Sequence, residues 1–322
     1  MKKYNQITID ERYQIQASLK AGITISQISD DLGRHKSSIY RELKNNSGER
    51  GYRPKQATEK TFVRRKSAAK AIKMTADFIA LIEEKIRLKW SPEQISGRLL
   101  NKHKILISHE RIYQHIWADK QQGGELYKQL RCQGKKYDKR RNGKSTRGQI
   151  KNRVSIDVRP KVVDEKARVG DWEIDTVIGK GHQGAIVTIV ERKTLYTVAA
   201  LVDSKQADVV TSATIKLLTP LTGRVYSITA DNGKEFAWHE KIAEALDTQV
   251  YFAHPYSSWE RGLNENTNGL LRQYFPKDTY FRSLTQEDID EAVYNINNRP
   301  RKTLEFKTAA EMMHRSLSRR AA

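Results

Sequence analysis

Residues 170–204 read GDWEIDTVIGKGHQGAIVTIVERKTLYTVAALVDS, three β-branched runs separated by glycine or charged turns. Such spacing predicts consecutive antiparallel strands. Further on, ADVVTSATIKLLTPL has helical period and RVYSITADNG is a strand ending in a turn. KEFAWHEKIAEAL is a helix with Phe236, Ile242, Ala245 and Leu246 inward, and TQVYFA is a short strand. After the loop HPYSSWERG comes a helix that begins near Glu265.

Strand, strand, strand, helix, strand, helix, strand, helix is the order of a ribonuclease-H-like α/β domain with a mixed five-stranded sheet, expected here over residues 161–322. In that architecture the chemistry lies where the first and fourth strands run side by side. Each brings an acidic residue, Asp175 in WEID and Asp231 in TADNG. An aspartate inside a hydrophobic strand needs solvent, a partner or a metal. Asp231 also suits an ordinary Asp-Asn-Gly turn. Strand parity does not separate Asp175 from Asp171 or Glu173, because all three share one face.

The charge is segregated. Residues 1–160 hold 37 Lys+Arg against 16 Asp+Glu, an excess of 21, whereas residues 161–322 hold 22 of each. A basic half joined to a neutral half points to a polyanion-binding arm on a domain with a different task. The single cysteine, Cys132, excludes an internal disulfide and a thiolate zinc cluster. No apolar run approaches the ~20 residues of a membrane span. The opening MKKYNQITIDERYQ has no apolar core of a secretion signal, so a cytoplasmic protein is expected, nucleoid-associated when on DNA.

Residues 1–50 predict three short helices. The first covers about 9–21, with Tyr13, Ile15 and Leu19 apolar; TISQ opens the second with capping-box spacing, and it stops at Gly33. The third buries Ile39 and Leu43 and leaves Arg34, His35, Lys36, Ser37, Ser38, Tyr40 and Arg41 outward. This is a helix-turn-helix pattern, whose second helix enters the major groove of DNA. Residues 76–120 repeat the layout: Ser91, Pro92 and Gln94 open a helix, and SHERIYQHIW buries Ile112, Ile116 and Trp117 while exposing His109, Glu110, Arg111 and Gln114. Two basic stretches, 51–75 and 121–160, read as linkers. The second holds Lys135, Lys136, Lys139, Arg140 and Arg141, suited to sequence-independent phosphate contact.

Across nearly its whole length the chain resembles bacterial insertion-sequence transposases of the IS-thirty family. The resemblance rests on ISQISDDLGRHKSSIYREL, WSPEQISGRL, GDWEIDTVIG, TADNGKEF, YSSWERGLNENTNGLLRQYFP and NNRPRKTLEFKTAAE. It implies a catalytic triad of two aspartates and a glutamate, falling by position on Asp175, Asp231 and Glu265, with 33 residues between the last two. The resemblance, not parity, selects Asp175 over Asp171 and Glu265 over Glu260. Three carboxylates of this kind suit two Mg²⁺ or Mn²⁺ ions and not zinc. Arg272, two turns beyond Glu265 on the same face, is the candidate for a phosphate or terminal base, with a solvated helix arginine as the alternative. The implied activity is binding of terminal inverted repeats, DNA cleavage and strand transfer, in a homo-oligomeric synaptic complex. A regulator whose second half only dimerises, and a nuclease of the same fold without strand transfer, are the competing readings.

Overall fold

The structure, a computed structural model, describes residues 6–67, 74–131, 150–255 and 257–318. The chain divides into two compact units, Met1–Ile72 and Lys73–Ala322.

The first unit holds helices α1 (Ile9–Lys20), α2 (Ile25–Asp31), α3 (Lys36–Asn46) and α4 (Pro54–Ser67). Thr8 with Glu11 and Thr24 with Gln27 form capping boxes that start α1 and α2. Gly33 takes φ +59°, the left-handed turn that leads from α2 to α3. Ile15, Ile28 and Ile39 make a small fully enclosed core.

Helix α4 lies where the sequence suggested a basic linker. Its apolar residues Phe62 and Val63 are exposed, so no apolar stripe announces it. A buried polar network docks it instead. Arg12 Nε donates to Glu42 Oε1 at 2.7 Å, and its Nη atoms donate to Thr58 and Thr61 of α4 at 3.1 Å. Tyr52 also donates to Glu42. Arg12 is buried while its neighbour Tyr13, expected inside, is exposed. A buried ion pair losing one member strands the other charge. Glu42→Gln should therefore destabilise this unit by about 3 kcal/mol, read as faster amide exchange in α1 and α4; unchanged protection contradicts the network's role.

The second unit opens with α5 (Ala76–Arg87), α6 (Pro92–His103) and α7 (His109–Gln121), packed through Ile82, Ile86, Ile95, Leu99, Ile112 and Ile116. The Ser91–Gln94 capping box forms as read. Trp117 does not go inside; it is exposed, with the Lys120 ammonium 5.5 Å above its ring.

The sheet follows. Its strands are β1 (Val154–Ser155), β2 (Asp171–Ile178), β3 (Ala185–Glu191), β4 (Thr197–Val202), β5 (Ser227–Ala230) and β6 (Gln249–Phe252). The spatial order is β1-β6-β5-β2-β3-β4. Strands β2, β3 and β4 are antiparallel as expected, and β5 and β6 run parallel to β2. The sheet has six strands rather than five, because Val154 and Ser155 pair with Tyr251 and Phe252. Two residues are too few to show a period, which is why they read as linker.

A short α8 (Lys161–Asp164) precedes β2. Helices α9 (Ala207–Leu218) and α10 (His239–Leu246) cover one face of the sheet through Val210, Leu218, Ile242 and Leu246. Ala245 of α10 is exposed, and Ala243 packs inward in its place. The other face takes α11 (Gly262–Leu271) and α12 (Gln286–Asn297) through Leu270, Leu271, Ile289 and Ile296. The chain closes with the pair β7 (Pro300–Arg301) and β8 (Lys307–Thr308) and with α13 (Ala309–Ser318).

Helix α6 is docked on this closing segment. Asn101 donates to the Glu305 carbonyl at 2.6 Å, Lys302 pairs with Glu93, and Arg98 pairs with Glu311. Gly97 is needed there, since a Cβ would stand 2.4 Å from the Phe306 ring. Residues 76–120 therefore belong to the same body as the sheet, a contact spanning 200 residues that no local pattern reveals.

Arg98 and the backbone amide of Thr308 hold the Glu311 carboxyl down at about 2. A carboxyl depressed on folding stabilises only above its unfolded value, and that contribution disappears as pH falls from about 5 to 2. Because the Glu311 side chain is partly exposed, the effect is at most about 1 kcal/mol. Glu311→Gln should flatten the acid limb of the stability–pH curve, measured by thermal unfolding at pH 6 and pH 3. An equally steep limb in the variant refutes the clamp.

Candidate active site

Alternation along β2 places Trp172 and Ile174 against the α9–α10 layer and Asp171, Glu173 and Asp175 toward the α11 layer. Each of the three acids meets an arginine. Arg168 holds Asp171 with two bonds of 2.9 Å, Arg192 pairs with Glu173, and Arg261 faces Asp175 at 3.6 Å. The pairs differ in burial. The Asp171 and Glu173 side chains are each 1% exposed, whereas Asp175 is 24% exposed. Geometry thus separates what parity could not: the first two are interior pairs, and Asp175 opens to solvent.

The register of β2 with β5 pairs Asp171 with Ser227 and Glu173 with Thr229, an offset of 56 that sets Asp175 level with Asp231. Asp231 sits one residue past β5, where its Oδ1 accepts the Gly233 amide at 2.7 Å. Arg261 bridges the two aspartates, with Nη2 3.3 Å from Asp231 Oδ2. Its Nε is buried and makes no hydrogen bond. From α11, Asn268 donates to Asp175 Oδ2 at 3.0 Å, and Thr188 donates to Asn268 Oδ1 at 2.9 Å. Glu235 lies beside the group, accepting from Thr176 Oγ1 at 3.1 Å.

Burial pushes the Asp175 carboxyl up to about 6; Arg261 opposes the rise, while Asp231 and Glu235 add to it. Two carboxylates facing one position are relieved either by a proton on one of them or by a cation between them. Here the guanidinium is that cation. An all-oxygen pair converging on one positive group fits a hard divalent ion.

Glu265 lies in the first turn of α11, on its exposed side. Among the described residues, no three His, Cys, Asp or Glu side chains gather closely enough to hold an ion, so Glu265 is not drawn in with the two aspartates. Glu260 is engaged elsewhere, accepting from the His254 amide and ring, both at 2.8 Å. Arg272 caps α11 and gives its guanidinium to the carbonyls of Ile178, Phe275 and Pro276, 5.6 Å from the Phe281 ring. In this arrangement it is a strut between α11 and β2 rather than a free cation.

On α3, Lys36, Tyr40 and Arg41 are exposed, His35 caps the helix, and Ser37 and Ser38 are half-buried. Arg34 is instead bound to Glu11 at 2.8 Å and to the Gln6 carbonyl. On α7, His109, Arg111 and Gln114 are exposed, with Arg111 donating to Gln114. Lys135, Lys136, Lys139, Arg140 and Arg141 lie outside the described residues.

Arg261 and Glu235 were not legible in the sequence. An arginine four residues ahead of Glu265 looks like a solvated helix start, and Glu235 reads as part of a turn.

Residues 3–46 match the family described as "Helix-turn-helix domain". A "Transposase for insertion sequence element IS4351" of Bacteroides fragilis is 42% identical over 307 residues, covering 95% of this chain and 94% of that one. A "Transposase InsI for insertion sequence element IS30A" of Escherichia coli (strain K12) is 35% identical, covering 97% and 84%. The chain belongs to the IS-thirty family of transposases.

Its α/β domain therefore belongs to an enzyme that cuts and joins DNA strands, and its first helices to a DNA-binding module. Among solved structures, the "catalytic core domain of BIV integrase" aligns with 48% of this transposase and 99% of that chain, at 19% identity and a TM-score of 0.39.

Burial raises the Glu173 carboxyl and lowers the Arg192 guanidinium, and losing one member of the pair strands the other charge. Glu173→Gln should cost about 3 kcal/mol. Asp175→Asn should stay within about 1 kcal/mol of the parent. Urea unfolding of both variants checks the contrast, and equal losses would deny that Asp175 is the exposed member.

Proposed function

We propose that Asp175, Asp231 and Glu265 are the catalytic carboxylates of this transposase, and that they hold two Mg²⁺ or Mn²⁺ ions. The observation that carries this reading is the convergence of Asp175 and Asp231 on one guanidinium, that of Arg261, where the β2–β5 register continued past Glu173 and Thr229 brings them level. Such ions, when bound, activate the attacking oxygen and stabilise the leaving one at a phosphodiester.

The chain's own residues do the rest. Asn268, itself held by Thr188, fixes Asp175 Oδ2, the oxygen that faces Arg261, while Oδ1 accepts the Thr176 amide at 2.8 Å. Glu265, exposed in the first turn of α11, would have to turn inward to complete such a site. Arg261, which faces both aspartates, would have to give up that place to an ion, leaving its guanidinium free for a phosphate. A guanidinium fits a phosphate as well as it fits two carboxylates.

Specific binding of the element's terminal inverted repeats belongs to α3 and α7. Their exposed Lys36, Tyr40, Arg41, His109, Arg111 and Gln114 face solvent in the manner of recognition helices. The basic residues Lys135, Lys136, Lys139, Arg140 and Arg141 add phosphate contacts. Two ends brought together for joining to a target require at least two copies of the chain. No helix among the described residues is long and apolar enough to cross a membrane, and we place the protein in the cytoplasm.

Asp175→Asn, Asp231→Asn and Glu265→Gln keep side-chain shape and remove the charge that holds a hard cation. Each should abolish Mg²⁺-dependent cleavage of a labelled terminal repeat and joining of its 3′ end, with repeat binding unchanged. Glu260→Gln, tied to His254, should cut normally. Normal cutting by Glu265→Gln with loss in Glu260→Gln would move the third carboxylate to Glu260. Cleavage without joining by the parent protein would make it a nuclease of the same fold.

A further inference from the structure

A second cationic group lies against α11, apart from Arg261. Arg131, which follows the short turn Leu126–Gln129 beyond α7, donates from Nη1 to Asn266 Oδ1 at 3.2 Å, one residue from Glu265. Its Nη2 stands where Gly269 leaves room, 2.6 Å from the position of a Cβ there. Arg299 donates to Gln273 Oε1 at 2.7 Å and to the Tyr274 hydroxyl at 3.1 Å, just past the end of the helix. Lys89 holds its ammonium 5.4 Å from the centre of the same Tyr274 ring. Arg301 donates to the Ile296 carbonyl at 3.2 Å.

None of these four cations has a carboxylate within ion-pair distance among the described residues. Arg299 is 2% exposed and Arg301 8% exposed, and the Nε of each is buried without a partner. Burial and the neighbouring arginines lower the Arg301 guanidinium to about 10, and burial together with Arg299 lowers Lys89. Elsewhere in this unit Arg168, Arg192 and Arg261 each meet an acid of β2. A group of like charges, partly interior and with donors unspent, calls for an anion from outside. Arg131 is exposed and Lys89 half-buried, so the approach is open on their side.

We propose that Lys89, Arg131, Arg299 and Arg301 form a seat for a DNA backbone phosphate beside α11. The seat grips the strand flanking the bond cut at Asp175 and Asp231, and so ties α5 and the segment after α7 to the helix that carries Glu265. The proposal rests on the active-site reading above for its place relative to the cut, but not for the seat itself. Arg131 and Lys89 make the contact, and the two buried arginines supply field behind them.

The test uses the full chain and a duplex carrying the terminal repeat, with affinity measured by fluorescence anisotropy from 100 to 400 mM NaCl, a window of about fourfold in salt. Arg131→Gln and Lys89→Gln should each lessen the slope of log affinity against log salt by about 0.9, the signature of one lost phosphate contact. Gly269→Ala, a change that favours the helix while its Cβ displaces only the far end of Arg131, should give the same loss. Unchanged slopes in Arg131→Gln, Lys89→Gln and Gly269→Ala would overturn the proposal. Thermal stabilisation by inorganic phosphate that depends on Arg131 and Lys89, with DNA slopes unchanged, would assign the seat to the free ion and also overturn it. If Asp175→Asn still cuts DNA while the slopes fall as stated, the active-site reading fails and the seat stands.

Discussion

Three carboxylates on one face of a single strand set the terms for this domain. Asp171, Glu173 and Asp175 are spaced by two along β2, so the pleat turns all of them toward the same layer. Buried acids need compensation, and the chain supplies an arginine to each from three different segments: Arg168 before the strand, Arg192 after β3, and Arg261 before α11. Those pairs locate the segments against the sheet. They also grade the acids from closed to open, so that only Asp175 faces both solvent and a second carboxylate.

The register of β2 with β5 then does what no single residue can. By bringing Asp175 level with Asp231 it lets one guanidinium, that of Arg261, face both carboxylates. Helix α11 is the third part, carrying Asn268 onto Asp175 from one side and Glu265 on its exposed side. The same helix receives Arg131 at Asn266 and is followed by Gln273, which accepts from Arg299, so the proposed third carboxylate and the proposed phosphate seat share one element.

Much of this was legible in the sequence because the elements obey local rules. The three β-branched runs, the capping boxes at Thr24 and Ser91, and the helix–glycine–helix layout at residues 25–46 all follow from neighbours in the chain. What was not legible depends on distant partners. Helix α4 is held by the polar Arg12–Glu42 network rather than an apolar stripe, and β1 is two residues long. The docking of α6 on Glu305, Phe306 and Glu311 joins ends of the chain that no periodicity relates. For the site, the aspartates stood out as acids in a hydrophobic setting, whereas Arg261 looked like any solvated arginine until its partners were placed. Arg272, suggested by helical spacing, spends its guanidinium on three carbonyls instead, because α11 stops at Leu271.

The central claim is that Arg261 keeps a place that metal takes when the site is loaded. A crystal structure of the full chain with Mn²⁺ and a terminal-repeat duplex tests it most directly, through the anomalous signal of the metal. The expected result is Mn²⁺ ligated by Asp175 and Asp231 with Glu265 drawn in, and Arg261 turned out toward a phosphate. Arg261 still bridging the two aspartates, with Mn²⁺ bound elsewhere or by Glu260, would contradict the account.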